Sequence, residues 1–267
     1  MNILVCVKQV PDTTEIKIDP VTNTLIRDGV PSIVNPYDAD ALEAAARIKD
    51  KNPKCKIVVL SMGPAQAKVA LKKCLSIAAD KAYLVSDRAF AGSDTLATSY
   101  ILAKTIEKIE QSEGKFDVIL CGKQAIDGDT AQVGPEIAEH MNYPQITCGL
   151  EFCEDGEWLK VCREGEDGNH IVGIKPPCVI TITKPAFVPR YPTIKRILVA
   201  NKAEIPTISA AELPGIDLTK TGLKGSPTKV KKTFVPQKKK DGLKISDASG
   251  EDAAKKLFKL LSDAKII

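Results

Sequence analysis

The stretch Val118-Ile119-Leu120-Cys121-Gly122-Lys123-Gln124-Ala125-Ile126-Asp127-Gly128-Asp129-Thr130-Ala131-Gln132-Val133-Gly134 holds one full repeat of the fold. Its first four residues are apolar without alternation, as expected of a strand covered on both faces. A polar loop with two glycines follows, and a helical pattern covers about 131–142. The same unit recurs toward the N-terminus. Strand-like runs Ile3-Leu4-Val5-Cys6-Val7, Ile57-Val58-Val59-Leu60 and Ala82-Tyr83-Leu84-Val85 alternate with helical patterns at about 38–50, 65–78 and 94–111. In the first helix Ala41, Leu42, Ala45, Ala46 and Ile48 repeat at helical spacing. The alternation predicts an α/β fold, a doubly wound and mostly parallel sheet with right-handed crossovers. A hairpin-like insertion, Glu15-Ile16-Lys17-Ile18 and Thr24-Leu25-Ile26-Arg27, interrupts the first crossover.

Beyond Pro144 the texture changes. Segments 146–152, 157–163, 169–175 and 178–184 read as successive antiparallel strands, broken by Glu154-Asp155-Gly156 and Glu166-Asp167-Gly168. They extend or flank the same sheet. From about 202 to 248 apolar residues are few and lysines many. Ordering such a segment costs roughly 1–2 kcal/mol per residue in backbone entropy, so it stays loose unless a partner surface receives it. Asp252 to Lys265 reads as an amphipathic helix with Ala253, Leu257, Leu260 and Leu261 on one face. The expected organisation is a body over 1–200 and an extended C-terminal arm over 201–267. Charge divides in the same way: net −4 through residue 194 and +8 beyond it, out of +4 overall.

Composition narrows the function classes. At 27% charged and 43% hydrophobic residues the chain is an ordinary globular one. No apolar run approaches the roughly 18 residues of a membrane span, and the start Met1-Asn2-Ile3-Leu4 reads as a first strand without a leader's cationic segment. A cytoplasmic protein is expected. The eight cysteines (6, 55, 74, 121, 148, 153, 162 and 178) include no C-x-x-C pair and fall mostly in strand-like runs, so they read as reduced small hydrophobes. With only His140 and His170 present, no histidine-rich metal site is expected, and neither lies near a nucleophile elbow. No residue stands out as a general base or covalent nucleophile.

In an open α/β sheet, ligands bind beyond the carboxyl ends of the strands. That places Cys121–Gly134 at a candidate site. Gly122 and Gly128 allow backbone to approach a ligand, the N–H groups opening the next helix attract phosphate, and Thr130 and Gln132 add side-chain hydrogen bonds. Asp127 and Asp129 would repel a diphosphate; they fit as helix caps or as acceptors for ribose hydroxyls. The loop is neither a Walker loop nor G-x-G-x-x-G. Two more turns face the same edge. Asn35 or Asp38, in Val34-Asn35-Pro36-Tyr37-Asp38, caps the first helix or reads a base edge. Ser61-Met62-Gly63-Pro64 ends the second strand in a tight turn.

Several of these runs together are similar to electron transfer flavoprotein beta subunits. The likeness rests on Gly122-Lys123-Gln124-Ala125-Ile126-Asp127, Asn35-Pro36, Met62-Gly63-Pro64-Ala65-Gln66, Arg163-Glu164, Pro177-Cys178-Val179-Ile180-Thr181 and Pro189-Arg190-Tyr191. It runs in order from residue 2 to the C-terminal helix. The resemblance implies a heterodimer with an alpha subunit that carries FAD, around which the C-terminal arm wraps. It also implies a second adenine nucleotide on this chain: AMP in respiratory members, FAD in electron-bifurcating members from anaerobes. There the second FAD takes hydride from NADH and splits the pair, one electron passing to the alpha-subunit flavin and one toward ferredoxin or flavodoxin. Carried over by position, the nucleotide touches Cys6, Asn35, Pro36, Tyr37, Asp38, Met62, Gly122, Lys123, Gln124, Ala125, Asp127, Gly128, Asp129, Thr130, Ala131, Gln132 and Val133. The run 127–134 resembles the bifurcating form, with small residues where respiratory relatives carry bulkier acidic and amide ones. Thr13 stands where some respiratory relatives have a tyrosine beside the alpha flavin, so that contact is not carried over.

Residues 189–194 fall at the family's docking loop for an acyl-CoA dehydrogenase-type protein. Arg190, Tyr191 and Ile194 are its candidate contacts, Ile194 the apolar anchor beside cationic Lys195 and Arg196. The rival reading, a stress-type ATP-binding protein of like topology, needs a G-x-x-G-x(9)-G-[ST] loop that this chain lacks. Nucleic-acid binding by Lys229-Val230-Lys231-Lys232 and Lys238-Lys239-Lys240 is not expected, since no aromatic platform accompanies them.

Overall fold

The first strand explains why the sheet is covered twice. In β1 (Asn2–Cys6) Ile3 and Val5 enter one apolar layer while Leu4 and Cys6 enter another, and all four are buried. The computed structural model describes residues 1–12, 31–185, 187–231, 242–246 and 249–267. After β1 the chain forms a two-stranded antiparallel ribbon from β2 (Gln9–Pro11) and β3 (Ser32–Val34), with Gln9 opposite Val34. The hairpin expected at 15–27 lies outside the described residues. Helix α1 (Pro36–Lys51) then leads to β4 (Lys56–Met62), α2 (Lys68–Ile77) to β5 (Lys81–Val85), α3 (Thr95–Glu113) to β6 (Val118–Gly122), and α4 (Val133–Met141) to β7 (Gln145–Asp155). β8 (Trp158–Gly165), β9 (Gly168–Ile174), β10 (Cys178–Ile182), α5 (Ile194–Lys202), β11 (Thr207–Ile208), α6 (Gly222–Gly225) and α7 (Gly250–Asp263) complete the order.

Among the described residues the main sheet runs β11-β5-β4-β1-β6-β10-β7-β8-β9. β1 is parallel to β4 on one side (Ile3 with Ile57) and to β6 on the other (Ile3 with Val118). Ala41 and Leu42 of α1 and Leu71 of α2 pack in one layer, Ile101 and Ile106 of α3 and Ile137 of α4 in the other. Each fully buried aliphatic side chain contributes about 1.5–3 kcal/mol. The chain winds outward from β1 through β4 to β5, then crosses back by α3 to β6. The strand order therefore reverses between β4 and β6, and an open α/β sheet has its ligand crevice at that switch point.

The 178–184 segment departs from the antiparallel expectation. β10 is parallel to both neighbours, Val179 beside Ile119 of β6 and beside Gln145 of β7. Its five residues Cys178-Val179-Ile180-Thr181-Ile182 are all buried, a pattern suited to an interior strand and not to the end of a meander. Only β7, β8 and β9 form the antiparallel extension.

Residues 203–226 find on the chain itself the surface that this polar segment was expected to need from a partner. β11 adds beside β5, with Ile208 opposite Val85, and Ile205, Ile208 and Leu213 are buried. Hydrogen bonds to Asp87, Tyr100 and Asp94 add to these three apolar anchors. The described residues up to Lys231 form one compact unit, and those from Gly242 another. In the second, Ser249 caps α7 by accepting the Asp252 N–H at 3.1 Å, and no residue of that helix is buried. Among the described residues no helix is long and apolar enough to cross a membrane.

Candidate functional site

A cleft of about 840 Å³ lies along the carboxyl ends of β5, β4, β1 and β6. Cys6 and Cys121 lie side by side on its floor, register partners across β1 and β6. The Cys6 thiol and burial push the Cys121 thiol well up, so it stays protonated and behaves as an apolar group. All eight cysteines are free. Among the described residues no cluster of three or more histidine, cysteine, aspartate or glutamate side chains is placed to hold a metal.

Loop 122–132 forms one wall and is fastened from below. Asn35 is fully buried at the N-terminus of α1. Its Nδ2 donates to the Gln124 carbonyl at 2.8 Å and its Oδ1 accepts the Ile126 N–H at 3.1 Å. The side chain does not cap α1; it turns to the loop and to Asp38 instead. Asp38, one turn on, accepts the N–H of Lys8 at 2.7 Å and of Gly122 at 3.1 Å. Burial pushes its carboxyl up to about 7, against the pull of Asn35 and of those two N–H groups. A Cβ on residue 122 would overlap Asp38 Oδ1 and the Tyr37 backbone. The missing side chain at Gly122 thus serves the approach of α1 to β6.

The loop's own geometry is tight. The N–H groups of Gly128 and Asp129 both donate to the Ala125 carbonyl, Asp127 pairs with Lys8 Nζ at 2.7 Å, and Gln124 Nε2 donates to Asp129. Asp129 and Ala131 have φ of 53° and 54°, a left-handed conformation unusual for alanine. Ala131 is followed by Gln132 in the right-handed region (φ −101°, ψ −36°). Consecutive residues of opposite hand turn their N–H groups to one side, a concavity that suits an anion. The start of α4 adds its positive dipole end to the same spot.

The segment from Val85 to Thr98 completes the opposite wall, and sequence reasoning missed it. Asp94 caps α3 by accepting the Ala97 N–H at 3.0 Å, and Thr95 Oγ1 bonds Gln132 and Glu136 across the cleft. Two helix N-termini therefore converge. The acids of this wall are already engaged: the N–H groups of Ala89 and Ala210 hold the Asp87 carboxyl below the usual carboxylate range, and Asp94 also accepts from Thr228. Arg88 and Lys123, by contrast, line the cleft with no acidic partner among the described residues. The available signal was a buried strand ending in Val85-Ser86-Asp87 with a capping Asp94-Thr95 nearby.

Of the residues carried over from the resemblance, Cys6, Asp38, Met62, Gly122, Lys123, Gln124, Ala125, Gly128, Thr130, Ala131, Gln132 and Val133 line the cleft. Asn35, Pro36, Tyr37, Asp127 and Asp129 stand behind that lining, as fasteners or as the start of α1. The docking candidates separate too. Tyr191 and Ile194 are 90% and 78% exposed, while the Arg190 guanidinium is occupied by Glu43 and Asp50. Arg196 is not a free cation either, since its Nη2 donates to the Leu75 and Ala79 carbonyls.

These features define a class: a doubly wound α/β protein with a ligand cleft at its switch point. Residues 22–213 match the model of the electron transfer flavoprotein domain. The chain is 49% identical over 271 residues to the electron transfer flavoprotein subunit beta of Megasphaera elsdenii, covering all of both chains. Likewise it is 50% identical over 268 residues, all of both, to that subunit of Thermoanaerobacterium thermosaccharolyticum. Against the caffeyl-CoA reductase-Etf complex subunit CarD of Acetobacterium woodii it is 46% identical over 267 residues, again end to end. The chain belongs to the electron transfer flavoprotein family, as a beta subunit, and so has an alpha subunit for its partner.

Proposed function

We propose that the cleft holds FAD and that the heterodimer bifurcates electrons. The observation that carries this is the cleft itself: about 840 Å³, near the top of the usual 300–1,000 Å³ range for ligand sites. Small residues at Gly128 and Ala131 keep that length open, and the free Arg88 and Lys123 suit a diphosphate. When bound, the flavin supplies the chemistry, taking hydride from NADH and releasing single electrons to the alpha-subunit FAD and to ferredoxin or flavodoxin. The chain's own residues hold and shield. N–H groups of Ala131 to Val133 and the start of α3 receive phosphate, and Leu60, Met62, Val85 and Leu102 exclude water from the ring. Asn35 and Asp38 keep the loop in place.

Tyr191 and Ile194 form the contact with an acyl-CoA dehydrogenase-type flavoprotein, a reading supported by the Acetobacterium relative, a subunit of a caffeyl-CoA reductase-Etf complex. The C-terminal arm with α7 wraps the alpha subunit, consistent with an apolar helix face that buries nothing. The test is to co-express the chain with its alpha subunit, denature the purified complex and quantify the released nucleotides. Two FAD and no AMP per heterodimer is the expected result. One FAD and one AMP makes the protein a non-bifurcating carrier with a structural AMP.

A further inference from the structure

We propose that Arg190 is a positioning residue, a clamp between α1 and the segment before α5 that holds Tyr191 and Ile194 in a fixed attitude toward the partner flavoprotein. The proposal rests on the docking reading above and concerns what makes that contact effective. Nε of Arg190 donates to Glu43 Oε2 at 2.8 Å and Nη2 to Glu43 Oε1 at 2.9 Å, a two-pronged grip. Nη1 and Nη2 also reach Asp50 at 3.1 and 2.7 Å, and the Arg190 main-chain N–H adds a bond to Glu43 at 3.1 Å. Glu43 and Asp50 are seven residues apart, two turns of α1, so they share one face. Between them Arg47 lies over the ring of Phe187, 4.7 Å from its centroid. The segment entering the exposed residues is thus fastened to α1 at two points.

The far side is fastened as well. Thr193 caps α5, Arg196 donates to the Leu75 carbonyl in the last turn of α2, and Lys72 of α2 donates to the Asn201 carbonyl near the end of α5 at 2.8 Å. The apolar side chains standing in solvent between these fasteners are therefore presented on a mount that Arg190, Arg196 and Lys72 tie to α1 and α2. Stability alone does not call for this design. A buried carboxylate paired with arginine is on average no better than a well-packed apolar contact, and the side chain of Glu43 is only 5% exposed. What the clamp supplies is pre-organisation: a contact loop already ordered loses less entropy when a partner binds.

The test uses the complex with the alpha subunit, carrying Arg190→Gln, Arg190→Lys or Ile194→Ala, and a purified short-chain acyl-CoA dehydrogenase as the redox partner. The clamp predicts that Arg190→Gln raises KM for the dehydrogenase about tenfold while kcat stays within about twofold. Amide exchange over residues 188–199 rises, and nucleotide content is unchanged. Arg190→Lys, which keeps the charge but loses the fork, falls between and serves if the glutamine variant does not fold. If Ile194→Ala raises KM but the Arg190 variants change neither KM nor exchange, the clamp is overturned and the docking reading stands. If Ile194→Ala leaves KM untouched, the docking reading falls and the clamp's assignment falls with it.

Discussion

The N–H of Gly122 donates to Asp38 Oδ1 at 3.1 Å, and a side chain on residue 122 would occupy the space that this oxygen fills. The helix carrying Asp38 and the strand carrying Gly122 thus meet at a point with no room for a methyl group, at the floor of the cleft. Gly122→Ala must push the start of α1 away from β6. We expect it to cost about 1–3 kcal/mol, as overpacking does, and to lower nucleotide occupancy in the purified heterodimer. Denaturant unfolding together with nucleotide quantification checks both; a normal midpoint with full occupancy would show that the helix gives way freely.

Asp38 also sets a pH dependence. Burial pushes its carboxyl up to about 7, whereas the unfolded chain releases that proton near 3.8. Between these values the folded state holds a proton that the unfolded state has lost, so stability falls as pH rises from about 4 to 7. Asp40, raised to about 6 by burial, slopes in the same direction. Asp38→Asn keeps an acceptor but cannot titrate, so its melting temperature should decline less than the wild type's between pH 5 and pH 7.5. Parallel curves for the two proteins would remove Asp38 from the account.

Asn35 ties the loop by two hydrogen bonds that no other side chain replaces. Asn35→Ala removes both bonds from the half-buried Gln124 carbonyl and Ile126 N–H, at about 0.5–1.5 kcal/mol for each bond. Amide exchange at 124–130 should quicken and the nucleotide should leave more easily on gel filtration. Asn35→Asp restores the acceptor for Ile126 yet sets a carboxylate against the Gln124 carbonyl, so only part of the affinity returns. Exchange rates that match the wild type in both variants would mean the loop holds itself.

These relationships show what the sequence could and could not tell. Strands such as Ile3–Val7 and Val118–Cys121 are legible because burial on both faces leaves an apolar run with no alternation. The loop after β6 is legible because glycines and polar residues follow such a run. The placement of β10 was not, since an apolar five-residue strand reads alike whether it ends a meander or slips between β6 and β7. Asn35 was read as a cap or a base reader because its real partners lie about ninety residues downstream and are main-chain groups, which carry no residue signature. Arg190 is placed by sequence among the docking contacts, because the carboxylates that occupy it, Glu43 and Asp50, lie on a helix distant in sequence. The wall from Ser86 to Thr98 was overlooked because its chemistry comes from helix starts and N–H groups and not from a motif.

The opposite end of the sheet offers a control that separates stability from the site. Glu113, at the end of α3, meets Lys56 Nζ at 2.5 Å and Lys81 Nζ at 2.8 Å and accepts from the Tyr83 hydroxyl, with its side chain only 2% exposed. Burial alone would raise this carboxyl, but the hydrogen bonds from Lys56, Lys81 and Tyr83 outweigh it and hold the group at about 2, against 4.5 ordinarily. A depressed carboxyl contributes stability that is complete above about pH 4.5 and is lost as pH falls toward 2. Glu113→Gln should therefore lose about 3 kcal/mol at pH 7, from the one-unit equivalence of 1.36 kcal/mol. Its stability should also flatten between pH 4.5 and pH 2, where the wild type's falls. Lys56 and Lys81 open β4 and β5 and Glu113 ends α3 beside them, while the cleft lies at the carboxyl ends of the strands, so nucleotide content should stay at the wild-type level. A variant that loses nucleotide along with stability would show that the two ends of the sheet are coupled.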